Sequence, residues 1–339
     1  MNHNLPLVDS FGRRHNNLRI SVTDRCNIRC FYCMPAENVT FMPRRELLTF
    51  EEIASIVRVF AGCGVTQIRL TGGEPLVREQ LDRLVAMLKA VDGIDEIAMT
   101  TNAVLLAKHA TKLRQAGLDR INISLDALSK ETFFKITRRD VLGQVLEGIE
   151  GAIAAGFRSI RLNAVAIANL SETEIIPLAR FALEKQLELR FIEFMPLDSD
   201  RNWDDSQVLS GPKILQIIEA EFGPTVAAPR SNKSQPAVDF LYAAGNGRLG
   251  LINPVSSPFC GDCNRLRLTA EGKIRNCLFS VEEWDLRAIV RSELASDPQA
   301  LGRGLQDTIR QCVFEKKAGH LIGQEAFVRP DRSMYQIGG

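Results

Sequence analysis

Apolar residues recur along this chain with two alternating periods. Short runs rich in Ile, Val and Leu occur at 18–22, 67–71, 96–101, 120–125, 159–165 and 188–194. Each is followed by a stretch with helical spacing, at 51–61, 79–91, 105–115, 141–155, 172–185 and 212–221. Strands that alternate with helices in this way predict six βα units, hence a parallel sheet with helices outside it. Right-handed crossovers leave two architectures, an open doubly wound sheet or a curled, partial barrel.

Polar residues inside the strands favour the barrel. A strand sends alternate side chains to opposite faces. Leu18, Ile20 and Val22 share one face, and Arg19, Ser21 and Thr23 the other. Ile68 and Leu70 oppose Arg69 and Thr71; Ile121, Ile123 and Leu125 oppose Asn122, Ser124 and Asp126; Ile160 and Leu162 oppose Arg161 and Asn163. An ordinary parallel sheet is apolar on both faces, so a polar face repeated over four strands implies a lined cavity. Arg19, Arg69 and Arg161 within it imply an anionic ligand, because unpaired buried charge is costly. Internal carboxylates that pair with these arginines are the alternative. The expected fold class is therefore α/β, a partial (βα)6 TIM-like barrel.

After Glu221 the pattern changes. Pro224, Pro229 and Pro236 mark a loop-rich stretch, and 238–243 and 248–252 flank Gly245-Asn246-Gly247 as a β-hairpin. Gly245, Gly247 and Gly250 match a dinucleotide-binding spacing, but no helix follows and no βαβ unit surrounds them. The expected division is residues 1–222 for the partial barrel and 223–339 for a β-containing C-terminal extension. The last residues, 334–339, end in two glycines and are expected to be mobile.

Composition narrows the function classes. The 339 residues are 45% hydrophobic and 24% charged, enough to bury a sizeable core. Lys+Arg 42 against Asp+Glu 41 leaves a net charge of +1, which argues against a general nucleic-acid or membrane binder. The N-terminus lacks a signal-peptide pattern and no stretch has the length of a membrane span, so a cytoplasmic protein is expected. Eight cysteines in such a chain point to metal or redox chemistry rather than a disulfide frame.

Cys26, Cys30 and Cys33 follow the first strand, at the mouth where βα-barrel active sites gather. Three thiolates can hold three irons of a cubane cluster and leave the fourth open; closed electron-transfer clusters use four. A structural zinc site, the alternative, wants four ligands, and no histidine lies near. Tyr32 lies between two of the cysteines, placed either to pack on the cluster or to touch a ligand. Thr71-Gly72-Gly73-Glu74-Pro75 follows the second strand at the same mouth, and adjacent glycines allow close backbone approach. With these two motifs one βα unit apart, the chain resembles the radical S-adenosylmethionine (SAM) superfamily. The resemblance implies that the open iron chelates SAM and that an electron from the reduced cluster releases a 5′-deoxyadenosyl radical. By position it implies SAM contacts at Gly73, Ser124 and Met195, with Tyr32 beside them.

A second triad, Cys260, Cys263 and Cys277, again has no obvious fourth ligand. Zinc, with distant His320 or Cys312, is the alternative to a second open cluster. Arg265 and Arg267 follow on one strand face, a guanidinium pair suited to phosphate. The two triads, the glycine loop and the terminal Gly338-Gly339 together closely resemble the GTP 3′,8-cyclase family of molybdenum cofactor biosynthesis. That resemblance covers nearly the whole chain. It implies two [4Fe-4S] clusters, hydrogen abstraction from ribose C3′ of GTP, and attack of C3′ on guanine C8. By position it implies GTP contacts at Arg19, Arg69, Thr100, Arg161, Arg265, Leu266 and Arg267, and an active-site tail at Gly338 and Gly339. It also implies a low-potential electron donor and a homodimer.

Three positions depart from that family's pattern. Arg161 stands where lysine is usual, a bulkier and forked cation. Ala103 stands where glycine is usual, which weakens any claim that the backbone there needs a positive φ. Arg138 also replaces an expected glycine. Cys63, at a helix end, and Cys312 read as plain buried thiols, and the four histidines form no general-base triad. Two other classes remain open on the sequence: a radical SAM enzyme acting on a peptide, and a zinc-stabilised binding module without catalysis.

Overall fold

The computed structural model describes residues 5–230, 232–243, 245 and 247–338. The expected alternation is present. It runs β1 (Asn17–Ser21), α1 (Phe50–Gly62), β2 (Gln67–Thr71), α2 (Leu81–Lys89), β3 (Glu96–Thr101), α3 (Leu106–Gln115) and β4 (Arg120–Ser124). It continues with α4 (Lys130–Thr137), α5 (Leu142–Ala154), β5 (Ile160–Ala166), α6 (Glu172–Glu184), β6 (Glu188–Glu193) and α7 (Gly211–Phe222). Local signals set the ends: Thr49 and Glu52 form a reciprocal capping box at the start of α1. The apolar strand faces pack under the helices; Leu18, Ile20, Ile68, Leu70, Ile121, Ile123 and Leu162 are all buried in one core.

The C-terminal extension does not form a separate sheet. Its strands are β7 (Thr225–Ala227), β8 (Val238–Tyr242), β9 (Arg248–Ile252), β10 (Arg265–Leu268), β11 (Lys273–Arg275) and β12 (Trp284–Asp285). β9 pairs parallel with β6, and β10 pairs parallel with β1, so both edges of the six-stranded unit gain a strand. The sheet order is β12-β11-β10-β1-β2-β3-β4-β5-β6-β9-β8-β7, one open sheet. The chain then forms α8 (Leu286–Val290), α9 (Pro298–Phe314) and a final turn of helix, α10 (Met334–Ile337). No described helix is long and apolar enough to cross a membrane.

Two sequence expectations need correction. The described end of the chain is packed: Tyr335, Ile337 and Gly338 are buried, and the Gly338 carbonyl accepts a hydrogen bond from Arg267 Nη1. A glycine is needed there, since a Cβ at its φ of +71° would stand 2.7 Å from Thr71 Cγ2. Gly339 lies outside the described residues. Ala103 does adopt a positive φ, +62°, and so does Arg138, at +55°. Both departures from glycine therefore place a side chain in left-handed backbone, which costs roughly 1–2 kcal/mol.

The two costs play out differently. Arg138 is the left-handed C-cap of α4, and its Asp200 partner is 3.5 Å away. Arg138→Gly is expected to stabilise the fold by about 0.5–1 kcal/mol in urea denaturation. Ala103 is fully buried, and its carbonyl would stand 2.2 Å from a Cβ at Gly148 of α5. Ala103→Gly relieves the backbone but loses a buried methyl worth about 0.8 kcal/mol, so its stability is expected to stay near wild type.

Candidate functional site

The polar strand faces converge on one cavity of about 450 Å³ inside the curl of the sheet. Its wall takes side chains from all eight parallel strands, from Arg265 on β10 through Arg19, Arg69 and Asn122 to Arg190 on β6 and Ile252 on β9. Strand register sets the charge pattern. Arg19 lies opposite Arg69 on one side and Arg267 on the other, which makes a row of three guanidinium groups across adjacent strands. Further round, Arg161 lies opposite Asn122 and Glu188, and Asn163 opposite Arg190.

These arginines are not equivalent. Arg161 Nε donates to Glu188 Oε2 at 2.5 Å, and Arg120 pairs with Glu96, so part of the cavity's charge is met internally. Among the described residues, no carboxylate pairs with Arg19 or Arg69, and the Nε atoms of Arg19, Arg69 and Arg190 are buried without a partner. Burial, followed by repulsion from neighbouring guanidinium groups, pushes Arg19 and Arg69 well below the usual arginine range. Guanidinium nitrogens buried without a partner along a cavity wall favour an anionic ligand there.

The cysteine and glycine loops are sewn together at the mouth. Gly73 N–H donates to Thr23 O at 2.7 Å, and Glu74 N–H to Arg25 O at 2.8 Å. A Cβ on Gly73 would lie 2.3 Å from Arg25 O, and one on Gly72 would lie 2.5 Å from Thr23 O. The first reason for the two glycines is thus contact between loops, in addition to any approach of a ligand. Gly73→Ala is expected to separate the loops, lower stability by about 1–3 kcal/mol and halve, at least, the iron retained on purification; an iron assay with urea denaturation checks both.

Cys26, Cys30 and Cys33 line the cavity with Tyr32, backed by Ile28, Ile136 and Phe194. The end of α4 pins their loop: Arg29 N–H donates to Thr137 O at 2.9 Å and Phe31 N–H to Ile136 O at 3.1 Å. Burial pushes the Cys26 thiol up to about 11, and burial also pushes up Cys30, with help from Asp126 and the other two thiols, and Cys33, with help from Cys26. Bare thiolates are unfavourable here, so the anionic form needs a metal's positive charge. Among the described residues, no three Cys, His, Asp or Glu side chains stand close enough to hold a single ion. A set of three soft thiolate donors is the kind that suits an iron–sulfur cluster. Tyr32 donates to Asp126 Oδ2 at 2.6 Å, and burial raises the Asp126 carboxyl to about 6. Glu74 accepts from Leu76 N, Thr101 Oγ1 and Asn102 N, yet burial outweighs these donors and lifts it to about 7.

Cys260, Cys263 and Cys277 lie across the same cavity, together with Asn276 and Phe279. Burial pushes Cys263 up, but Arg265 and Lys316 beside it outweigh that and bring it down to about 6. Lys316 Nζ is 3.6 Å from Cys263 Sγ and donates to Arg265 O at 2.9 Å. Of the other residues singled out by the sequence, Thr100, Ser124, Met195, Arg265 and Arg267 also line the cavity. Leu266 does not; the whole residue is buried, its side chain in the core behind the sheet. Sequence reasoning missed Arg120, Arg190, Asn102 and Lys316. Extending the β4 alternation by one step finds Arg120, on the face of Asn122 and Ser124. No local signal marks Lys316, which reaches the second triad from beyond α9.

Comparison with known proteins agrees with this geometry. The Radical SAM superfamily profile matches residues 20–182, and that of Molybdenum Cofactor Synthesis C matches residues 187–322. The GTP 3′,8-cyclase of Rhodopirellula baltica is 52% identical over 338 residues, 99% of this chain and 92% of that protein. The chain belongs to the GTP 3′,8-cyclase family. Another relative, GTP 3′,8-cyclase 2 of Mycobacterium tuberculosis, is 43% identical, covering 98% of this chain and 92% of its own. Among solved structures, SuiB of Streptococcus suis covers 98% of this chain and 77% of its own, with a TM-score of 0.61 and 16% identity, which speaks to fold alone. The fold of this family member is thus a radical SAM fold, an open α/β barrel with a stranded C-terminal extension.

Proposed function

We propose that the chain converts GTP to a 3′,8-cyclised nucleotide, the first step of molybdenum cofactor biosynthesis. One observation carries the reading: two cysteine triads face a single cavity whose orphaned arginines call for a polyanion. Cys26, Cys30 and Cys33 would hold one [4Fe-4S] cluster, and Cys260, Cys263 and Cys277 a second. Bound and reduced, the first cluster with SAM supplies a 5′-deoxyadenosyl radical that takes hydrogen from ribose C3′, after which C3′ bonds to guanine C8.

The chain's own residues bind and orient. Tyr32, Gly73, Ser124 and Met195 line the cavity and would meet SAM, Tyr32 and Gly73 from the loops that carry and adjoin the first triad. Arg19, Arg69 and Arg267 form the row that would take the triphosphate, each charge-assisted bond worth roughly 1.5–3 kcal/mol. Arg265, Thr100 and Arg161 would complete the GTP contacts. Apolar packing of Leu197, Phe279 and Ile322 would keep water from the cavity beside Cys277. The reaction needs two electrons from a low-potential donor, one to cleave SAM and one, with a proton, to quench the radical left on the purine once C3′ has bonded to C8; the working form is a homodimer, which sedimentation tests.

Anaerobic incubation of reconstituted protein with SAM, GTP and dithionite should yield 5′-deoxyadenosine and a cyclised nucleotide in step. Absence of any GTP-dependent product from protein carrying about eight irons per chain would sink the proposal.

A further inference from the structure

The sheet is open, yet its cavity has a cover. The segment after α9 runs back over the mouth and carries two arginines three residues apart, Arg329 and Arg332. Arg329 Nη2 donates to Asp198 Oδ1 at 2.7 Å and to the Asp198 carbonyl. Asp198 belongs to the loop that follows β6. Arg332 Nη1 meets Glu271 Oε1 at 2.5 Å, and its Nη2 meets Glu283 Oε2 at 2.6 Å. Glu271 belongs to the turn that follows β10. β6 and β10 lie far apart in the parallel run, and both loops leave the C-terminal ends of their strands. The two arginines therefore join opposite flanks of one mouth.

Two of the three carboxylates they hold are buried, with side-chain exposures of 3% for Asp198 and 5% for Glu271, while Glu283, at 17%, is shared with Arg275. The neighbouring pair Arg201–Asp331, at 62% and 95%, is by contrast solvated and worth little. Removing an arginine from a buried carboxylate is costly because the charge left behind is uncompensated. Beyond the two pairs, Ser333 and Gln336 form a capping box that starts α10. From there Met334 faces the cavity, the Tyr335 N–H reaches the Cys33 thiol, and the Gly338 carbonyl reaches Arg267. One short segment thus touches the first triad and the phosphate-binding row together.

We propose that Arg329 and Arg332 are positioning residues whose paired clasps hold the C-terminal segment across the mouth, fixing Tyr335 against the first triad and Gly338 against Arg267. This rests on the function proposed above. Its consequence is coupling: with the segment held, radical formation and nucleotide cyclisation proceed together; with it loose, the 5′-deoxyadenosyl radical takes its hydrogen from buffer or reductant in place of ribose C3′, so 5′-deoxyadenosine forms without cyclised nucleotide.

The test uses cluster-loaded full chain with Arg329→Gln, Arg332→Gln, the double variant and Arg332→Lys. Two quantities are read: the anaerobic rate of chymotryptic cleavage at Phe327, and the ratio of 5′-deoxyadenosine to cyclised nucleotide. The double variant should be cleaved at least tenfold faster, and its ratio should rise at least threefold. Each single variant should fall between it and wild type, and Arg332→Lys should lie closer to wild type than Arg332→Gln. A folded double variant with both quantities unchanged overturns the proposal. So does faster cleavage with an unchanged ratio, because the clasp would then only hold the chain in place. If the double variant fails to fold, the single variants decide by the same two readings, since each arginine has its own carboxylate. If wild-type protein makes no cyclised nucleotide, the GTP reading fails, while cleavage at Phe327 still reports on the clasp.

Discussion

Alanine at Cys26, Cys30 or Cys33 is expected to remove about four of eight irons and to abolish SAM cleavage. Alanine at Cys260, Cys263 or Cys277 should remove the other four, leave SAM cleavage and eliminate the cyclised nucleotide. The asymmetry follows from placement. The first triad shares its wall with Tyr32 and Gly73, whereas the second sits across the cavity beside Arg265 and Arg267. Neither spare thiol has a rescuing role in the chemistry: Cys63 is the C-cap of α1, and Cys312 is buried in α9. Iron and sulfide analysis with quantification of 5′-deoxyadenosine separates the two classes. Equal loss of both clusters in all six variants, or zinc in place of iron, would contradict it.

The arginine row should show opposite effects on stability and binding. Arg69→Met and Arg19→Met are each expected to stabilise the nucleotide-free protein by about 1–3 kcal/mol, because each removes a buried, partnerless donor. The same variants should weaken GTP binding about 100-fold, which corresponds to about 2.7 kcal/mol. Arg161→Met is the contrast. It removes the 2.5 Å partner of Glu188 and leaves that carboxylate only a 3.4 Å contact with Arg190, so it should not stabilise the free protein as the other two do. Urea denaturation without nucleotide and equilibrium binding of GTP read the two effects separately. Loss of stability in Arg69→Met, together with unchanged binding, would show that the row is structural. Such a trade between stability and function is what a preorganised anion site requires.

Much of this site is legible in the amino-acid sequence. The six βα units follow from apolar runs of period two set against helical spacing, and their observed bounds differ by one or two residues. Alternation alone puts Arg19, Arg69 and Arg161 on an inward face, and all three line the cavity. The cysteine spacings name the chemistry because a cluster with an open iron needs three thiolates and no more. Local rules fail where tertiary packing overrides them. Two terminal glycines suggest a loose end, but the carbonyl of Gly338 is held by Arg267. Alanine at position 103 suggests ordinary backbone, but close packing of α5 through Gly148 holds its φ at +62°.

The sequence by itself determined the elements, the polar strand faces, the two cysteine triads and, through these, the family. Periodicity and motif spacing are local properties, and each is set by residues a few positions apart. Only the tertiary structure decided that β9 and β10 extend opposite edges of one sheet, that Arg161 is paired while Arg19 and Arg69 are not, and that Arg329 and Arg332 bridge the mouth. Those facts depend on partners far away in the chain, such as Asp198 for Arg329 and Glu271 for Arg332. No period or spacing encodes such a choice, because it is made by which surfaces the folded sheet brings within hydrogen-bonding reach.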